Sequence, residues 1–331
     1  MNRRHILAAG AALGLPAVRT ARAQAVVTMR LSHQYPPSHH IAQVLAAFAA
    51  DVKARSNNAI DVQVFPAEQL ARVGENFPGV ARGAFEAAVA TNFTWGNTIP
   101  EMSGPTIPYF FTDLEKNRRF PQSEARRFLD QITSRRAVRS VAWLFTTNVS
   151  IFTSGRRPLI NPEDFRGVKI RGINALIDQA LTAVGAAPAA TPAPEVVGAL
   201  QSGVLDAGLT DISAAVSRRF YEVQRFGTVS PFFAVSTQVY VNPRWWDGLR
   251  AEHRGVIEAA LAKAETDAVD ATVRTADAAV GELREKGMTI HVQSPEQVAQ
   301  WRDVMQKPVM DAFLRQAPEN GPRLIELLNR V

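Results

Sequence analysis

The chain has 331 residues, of which 46% are hydrophobic, 21% charged and 8% aromatic, an ordinary globular composition that excludes disordered, collagen-like and polytopic membrane classes and allows two lobes of about 150 residues each. It contains no Cys, which excludes a disulfide framework, a thiolate zinc site, an iron–sulfur cluster and a cysteine nucleophile. The formal charge is +6, but four of the 37 basic residues (Arg3, Arg4, Arg19 and Arg22) fall in a segment read below as removable, and the remaining 33 face 31 acidic residues, so charge gives little argument for a nucleic-acid partner.

Residues 1–23 read as a secretory signal: Arg3-Arg4 give a basic start, Ile6 to Val18 an apolar run, and Ala21-Arg22-Ala23 a small-x-small cleavage pattern. The run of about 13 residues is short of the ~20 that a helix needs to cross ~30 Å of hydrocarbon, so it addresses the chain without anchoring it. Arg3-Arg4 also matches a twin-arginine signal in part, which leaves the export route open between the two systems. No later apolar stretch approaches membrane-spanning length, and the mature chain is expected to begin near Gln24, exported and soluble.

Beyond the signal, strand-like and helix-like pieces alternate. Thr28 to His33 alternates with Met29 and Leu31 on one face, and Ile41, Val44, Leu45, Phe48 and Val52 then recur at helical spacing before Ser56-Asn57-Asn58. Ile60 to Phe65 alternates again and stops at Pro66; a helix from about Asn76 to Arg82 stops at Gly83, and the apolar strand Phe85 to Ala90 follows. This β-α-β-α-β order predicts a parallel sheet covered on both faces. A second such block runs from the strand Val168 to Arg171, through helices at Ala175 to Val184 and Glu195 to Ser202, to the strand Val204 to Leu209. Gly83-Ala84-Phe85-Glu86-Ala87 and Gly203-Val204-Leu205-Asp206-Ala207 share the pattern G-x-x-acid-Ala, which reads as an echo between two related lobes. Arg250 to Lys286 contains no Pro and predicts one helix of roughly 50 Å at 1.5 Å per residue, longer than one small lobe and so spanning both. Met288 to Val292 is a short strand, Ser294-Pro295-Glu296 starts another helix, and Pro322 starts the last.

Arg171 is the most informative polar residue. A parallel strand covered on both faces cannot hold a bare guanidinium mid-sheet, so Arg171 is expected at the carboxyl end of its strand, where open α/β sheets bind ligands and where a planar fork of donors suits a carboxylate. The alternative is a surface arginine paired with Asp164 or Glu163. Two loops leave strand ends in the echo positions, Thr91 to Trp95 and Thr210-Asp211. From them Asn92 and Thr210 offer hydrogen bonds, and Phe93 and Trp95 offer a flat apolar wall, although one of the two aromatics is expected to pack the core. Glu75 either points into the cleft or caps its helix. His33, His39 and His40 lack a clustered carboxylate and do not match a zinc spacing, so a loop role is expected for His33, and no metal or cofactor is expected. The common hydrolase, dinucleotide, phosphate-loop and zincin motifs are missing, though a triad assembled from distant residues stays open.

Several runs resemble TRAP transporter solute-binding proteins. They are Pro162 to Arg171 (P-x-D-L-x-G-x-K-[IL]-R), Val184-Gly185-Ala186, and Glu195 to Asp206 (E-x-[YF]-x-A-L-Q-x-G-x-[VL]-D), supported by Leu31-Ser32-His33, Gln69-Leu70 with Glu75 and Gly83, Ile107 to Phe111, and Val241-Asn242 with Trp246 and Leu249. The resemblance implies an α/β, two-lobed periplasmic binding protein fold, class II-like, that closes on a small organic acid and passes it to TRAP permease membrane subunits coupled to sodium. It implies that Arg171 grips the carboxylate and that Asn174 touches ligand. Two positions depart from the family: Thr210 stands where an Asn or comparable polar residue is common, and the neighbourhood about twenty residues before Arg171 reads Thr146-Thr147-Asn148-Val149-Ser150-Ile151, without the second Arg that many members carry. With only Asn148, Asn174 and Thr210 to replace that Arg, a monocarboxylate with an aromatic, branched or hydroxylated body is expected in preference to a dicarboxylate. The lobes are expected to be 25–147 with 236–270, and 148–235 with 271–331. Two other readings are an ABC-type periplasmic binding protein and a secreted α/β hydrolytic enzyme.

Overall fold

Alternation in β1 (Val27–Ser32) places Met29 and Leu31 in the core, and the helical spacing in α1 (His40–Arg55) does the same for Ile41, Leu45, Phe48 and Val52. The computed structural model in which this is seen describes residues 26–331, so the expected export signal and its cleavage pattern lie outside the described residues. The chain continues through β2 (Ile60–Phe65), α2 (Val73–Arg82), β3 (Ala87–Thr91), α3 (Leu114–Arg119), α4 (Glu124–Ser134) and β4 (Arg139–Thr147). Then come β5 (Ser150–Ser154), β6 (Lys169–Gly172), α5 (Asp178–Ala183), β7 (Ala187–Ala190), α6 (Val196–Gln201), β8 (Ala207–Asp211), α7 (Ile212–Ser217) and β9 (Phe226–Ser230). The last part comprises β10 (Val235–Val241), α8 (Pro243–Gly248), α9 (Ala251–Glu285), β11 (Thr289–Val292), α10 (Pro295–Gln316) and α11 (Gly321–Arg330).

Two sheets result, ordered β2-β1-β3-β10-β4 and β11-β9-β5-β8-β6-β7. Each carries one strand antiparallel to its neighbours, β10 in the first and β5 in the second. The expected parallel sheets are therefore mixed, and the reason is topological. The chain crosses directly from strand to strand at Asn148-Val149 and at 231–234, and each of these crossing strands enters its new sheet at the boundary and runs away from it; a third crossing, through α9, returns the chain to β11 of the second sheet.

The echo between the blocks is structural. Gly83 and Gly203 both adopt left-handed backbone, φ 79° and 73°, just after α2 and α6. The acid that follows then bonds the main chain of the neighbouring parallel strand: Glu86 accepts from Arg30 N at 2.8 Å and Asp206 from Lys169 N at 3.2 Å. This turn delays β3 and β8 relative to the expected strands, and Val204 is left 65% exposed.

Arg250 and Lys286 cap α9 rather than extend it, leaving 35 residues. The helix packs on α1 and β4 of the first sheet and on α7 and β11 of the second. Midway, Glu265 accepts from Trp143 N at 2.8 Å and Thr272 donates to Phe145 O at 2.8 Å, which pins it to β4. Ser294 and Gln297 form a capping box at the start of α10, with Pro295 in the first helical turn. The C-terminal helices close a core common to both halves: Trp301 of α10 packs between Phe152 and Phe165, each 5.0 Å away, and α11 returns to pack on α4.

Candidate functional site

Because the parallel strands of both sheets end at the boundary between them, their terminal residues face one another across a cavity. Gln34 and Tyr35 follow β1, Thr91 ends β3, Phe93 follows it, and Thr146 lies at the end of β4. Opposite are Arg171 near the end of β6, Thr210 and Asp211 at the end of β8, Ala214 on α7 and Arg218 just past its last residue. Phe233 and Val235, at the second crossing, supply an apolar wall with Phe93 and Ile173. An adjoining compartment extends from Arg171 past Asn174, Thr191, Pro192 and Asn97.

Arg171 is 4% exposed and is not the surface arginine of the alternative reading. Asp164 instead caps the turn at Asn161 and lies 3.7 Å from Arg157. Arg171 donates from Nη1 to Leu209 O at 2.7 Å and from Nε to Thr191 O at 3.1 Å, so carbonyls fix the fork while Nη2 forms no hydrogen bond among the described residues. Burial, with repulsion from Arg218, lowers its pKa to about 10, still charged at neutral pH.

A second arginine is present after all. It lies outside the motifs that resemble the family: Asp211 caps the start of α7, Ala214 lies within it and Arg218 caps its end, a spacing of i, i+3 and i+7 that brings all three to the cavity. Arg218 donates from Nη2 to Gln34 O at 2.9 Å, its Nε is buried without a partner among the described residues, and burial lowers its pKa. Its neighbour Arg219 is exposed and ion-paired with Glu222. The helical spacing from Asp211 was the signal that separates the two. Asp211 caps α7 by accepting from Ala214 N at 2.7 Å, and His39 Nε2 stands 3.7 Å from the same oxygen. Burial pushes the Asp211 carboxyl up, but attraction from His39, then His40, with the bond from Ala214 N, outweighs it and holds the pKa below its ordinary value. Thr210 is buried and lines the cavity, and its hydroxyl forms no hydrogen bond among the described residues.

Cross-sheet hydrogen bonds bring the halves into contact beside this cavity. Besides Arg218 to Gln34, Asn174 Nδ2 donates to Phe93 O at 2.9 Å and to Ser103 Oγ at 3.2 Å. Asn174 Oδ1 accepts from Leu176 N and Ile177 N, so the side chain is fully committed as it lines the outer compartment.

Other expected site residues lie elsewhere. Glu75 is exposed and accepts from Arg72 N at 3.1 Å, the capping role, which also starts α2 a turn earlier than the expected Asn76. Trp95 is the aromatic that packs the core, 4.9 Å from Phe77 and 5.2 Å from Tyr240, whereas Phe93 lines the cavity. Asn92 is buried and donates to Met102 O and Thr106 Oγ1. Asn148 donates to Thr112 O at 3.1 Å beside the first crossing, outside the cavity wall. His33 is buried in the loop after β1, accepting from Tyr35 N at 3.2 Å, and burial, then His39, lowers its pKa to about 4. His40 meets Thr272 at 2.9 Å, and burial lowers it to about 3. Among the described residues no group of three or more His, Cys, Asp or Glu is placed to hold a metal ion, and no helix is long and apolar enough to cross a membrane.

The sequence matches the bacterial extracellular solute-binding protein family 7 over residues 31–316, most of the chain. The chain belongs to this family. Family 7 membership makes it an extracytoplasmic solute-binding protein of the TRAP type and a receptor, not a hydrolase. It is 29% identical over 288 residues to the C4-dicarboxylate-binding periplasmic protein DctP of Rhodobacter capsulatus, covering 86% of each chain. The fold matches a TRAP periplasmic solute-binding protein from Desulfovibrio salexigens with bound orotic acid, with a TM-score of 0.86, 24% identity, and 92% and 97% of the two chains covered. It also matches one from Shewanella oneidensis with bound succinate, with a TM-score of 0.85, 26% identity, and 92% and 98% covered.

Proposed function

We propose that this family 7 protein captures a small monocarboxylate between its lobes, 25–147 with 236–270 and 148–235 with 271–331, and delivers it to the membrane subunits of a sodium-coupled TRAP permease. One observation carries the ligand class: the cavity wall holds two guanidinium groups, Arg171 and Arg218, and one carboxylate, Asp211. The wall therefore carries a single net positive charge, which one ligand carboxylate neutralises. The premise of a missing second arginine does not stand, yet the charge arithmetic returns the same class. In this reading Arg171 and Arg218 hold the carboxylate, Thr210 bonds a polar substituent, and Phe93, Ile173 and Phe233 cover an apolar body. Each half supplies part of the wall, so bound ligand favours the closed arrangement through its greater affinity for it.

A second reading, a dicarboxylate with one group on each arginine, is favoured by the pair of cations itself and by the dicarboxylate binding named for the Rhodobacter relative. Calorimetric titration of the purified mature protein with orotate, pyroglutamate, 2-oxo and hydroxy acids, succinate and malate separates the two. Tighter binding of a monocarboxylate is expected. Binding of a C4 dicarboxylate tighter than every monocarboxylate would overturn the proposal in favour of the second reading.

A further inference from the structure

We propose that Asp211 is the residue that sets the ligand charge accepted by the cavity, admitting monoanions and discriminating against dianions; this rests on the organic-acid reading above. Arg171 spends Nε and Nη1 on carbonyls and Arg218 spends Nη2 on Gln34 O. Neither guanidinium has a carboxylate within salt-bridge distance among the described residues. Both cations therefore keep donor capacity for a ligand, while Asp211, in the same wall, subtracts one charge from their combined field without occupying their forks. A monoanion brings the wall and its ligand to zero. A dianion leaves one negative charge uncompensated in a space lined in part by Phe93, Ile173, Phe233 and Val235, which is costly.

Asp211 is also fixed in place. Its Oδ1 caps α7 through Ala214 N, and His39, itself buried, stacked 4.4 Å from His40 and tilted against Tyr35 at 4.4 Å, stands behind it at 3.7 Å. A carboxylate so cradled cannot swing out of the wall when a ligand arrives. The cap alone does not explain the residue type: Ser, Thr or Asn also caps a helix, but only an acid adds the charge.

The experiment uses probes matched in size that differ in one carboxylate: succinate against butyrate, and malate against 3-hydroxybutyrate. Association constants are measured by calorimetry, or by competition against the tightest ligand found in the acid panel, for wild type, Asp211→Asn and Asp211→Glu. Asn keeps the capping oxygen and removes the charge; Glu keeps the charge. The expected result is a rise of tenfold or more in the dianion-to-monoanion ratio for Asp211→Asn, with Asp211→Glu close to wild type in that ratio. An unchanged ratio in a folded Asp211→Asn protein, or the same shift in Asp211→Glu, overturns the proposal while leaving the organic-acid reading intact. Failure of wild type to bind any carboxylate overturns both.

Discussion

Gly96 ends the short helical turn after β3 with φ −57°, a conformation open to every residue, so only space forbids a side chain there. A methyl group at Gly96 would overlap Ser103 Oγ and lie 2.6 Å from Asn174 Nδ2, where ordinary contact needs at least 3.4 Å. Asn174 must then retreat by about 1 Å, and its bonds to Phe93 O at 2.9 Å and Ser103 Oγ at 3.2 Å are lost. Two such bonds contribute ~1–3 kcal/mol net, a factor of about 5 to 150 in the ratio of closed to open arrangements. Where the open form prevails without ligand, the dissociation constant rises by the same factor. Gly96→Ala is therefore expected to weaken binding of the tightest acid in the panel about 5- to 150-fold. Ser103→Ala, which removes one bond and adds no atoms, is expected to weaken it by a smaller factor. Calorimetry gives the affinities, thermal unfolding shows that both variants fold, and small-angle scattering reports compaction on ligand addition. A folded Gly96→Ala protein with affinity within twofold of wild type would refute the role of Asn174 as a cross-sheet latch.

Arg171→Ala is expected to cost ~2–5 kcal/mol of acid binding, and Arg171→Lys to fall short of wild type because an ammonium cannot serve Thr191 O, Leu209 O and a carboxylate with one planar fork; titration of both variants checks this. Ala271→Pro, in the interior of α9, is expected to cost about 3 kcal/mol or more, read as a lowered urea midpoint, with no loss meaning that the helix is dispensable there. Acid should destabilise the fold before ordinary carboxylates titrate. His33 and His40 have folded pKa values of about 4 and about 3, below their unfolded value of ~6.5, so the stability they contribute is complete above ~6.5 and is lost as pH falls toward 4 and 3. Asp178, raised to about 6 by burial, opposes this by regaining stability as pH falls from 6 toward ~4, and Glu265, also raised by burial, acts in the same direction. A net loss of about 2 kcal/mol between pH 7.5 and pH 5 is expected from urea titrations, and a flat profile would contradict the burial of the histidines.

Local signals carried much of the fold. Gly83 and Gly203 marked real left-handed helix ends, Ser294 and Pro295 a real helix start, and the absence of Pro between Arg250 and Lys286 a continuous helix. The β4 and β10 strands were not read, although both are rich in β-branched and aromatic residues, because nothing local says that β10 inserts between β3 and β4. In the site, Arg171 was legible because a charged residue in a covered strand has few places to go. Arg218 was not, because Ser217-Arg218-Arg219 has the composition of a solvated helix end. Glu75 and Trp95 had chemistry suited to a cleft, but capping and core packing claimed them, and only tertiary placement separates those uses from ligand binding.

The position of β10 governs the order in which the molecule can be completed. It fills the gap between β3 and β4, yet every residue of the second sheet except β11 precedes it along the chain. Until Val241 has been synthesised, β3 and β4 each present an unpaired edge, and the core beneath them stays open. Nor can α9, which covers β4, dock before that point. Assembly thus waits on contacts between residues 88 to 154 positions apart, which slows folding.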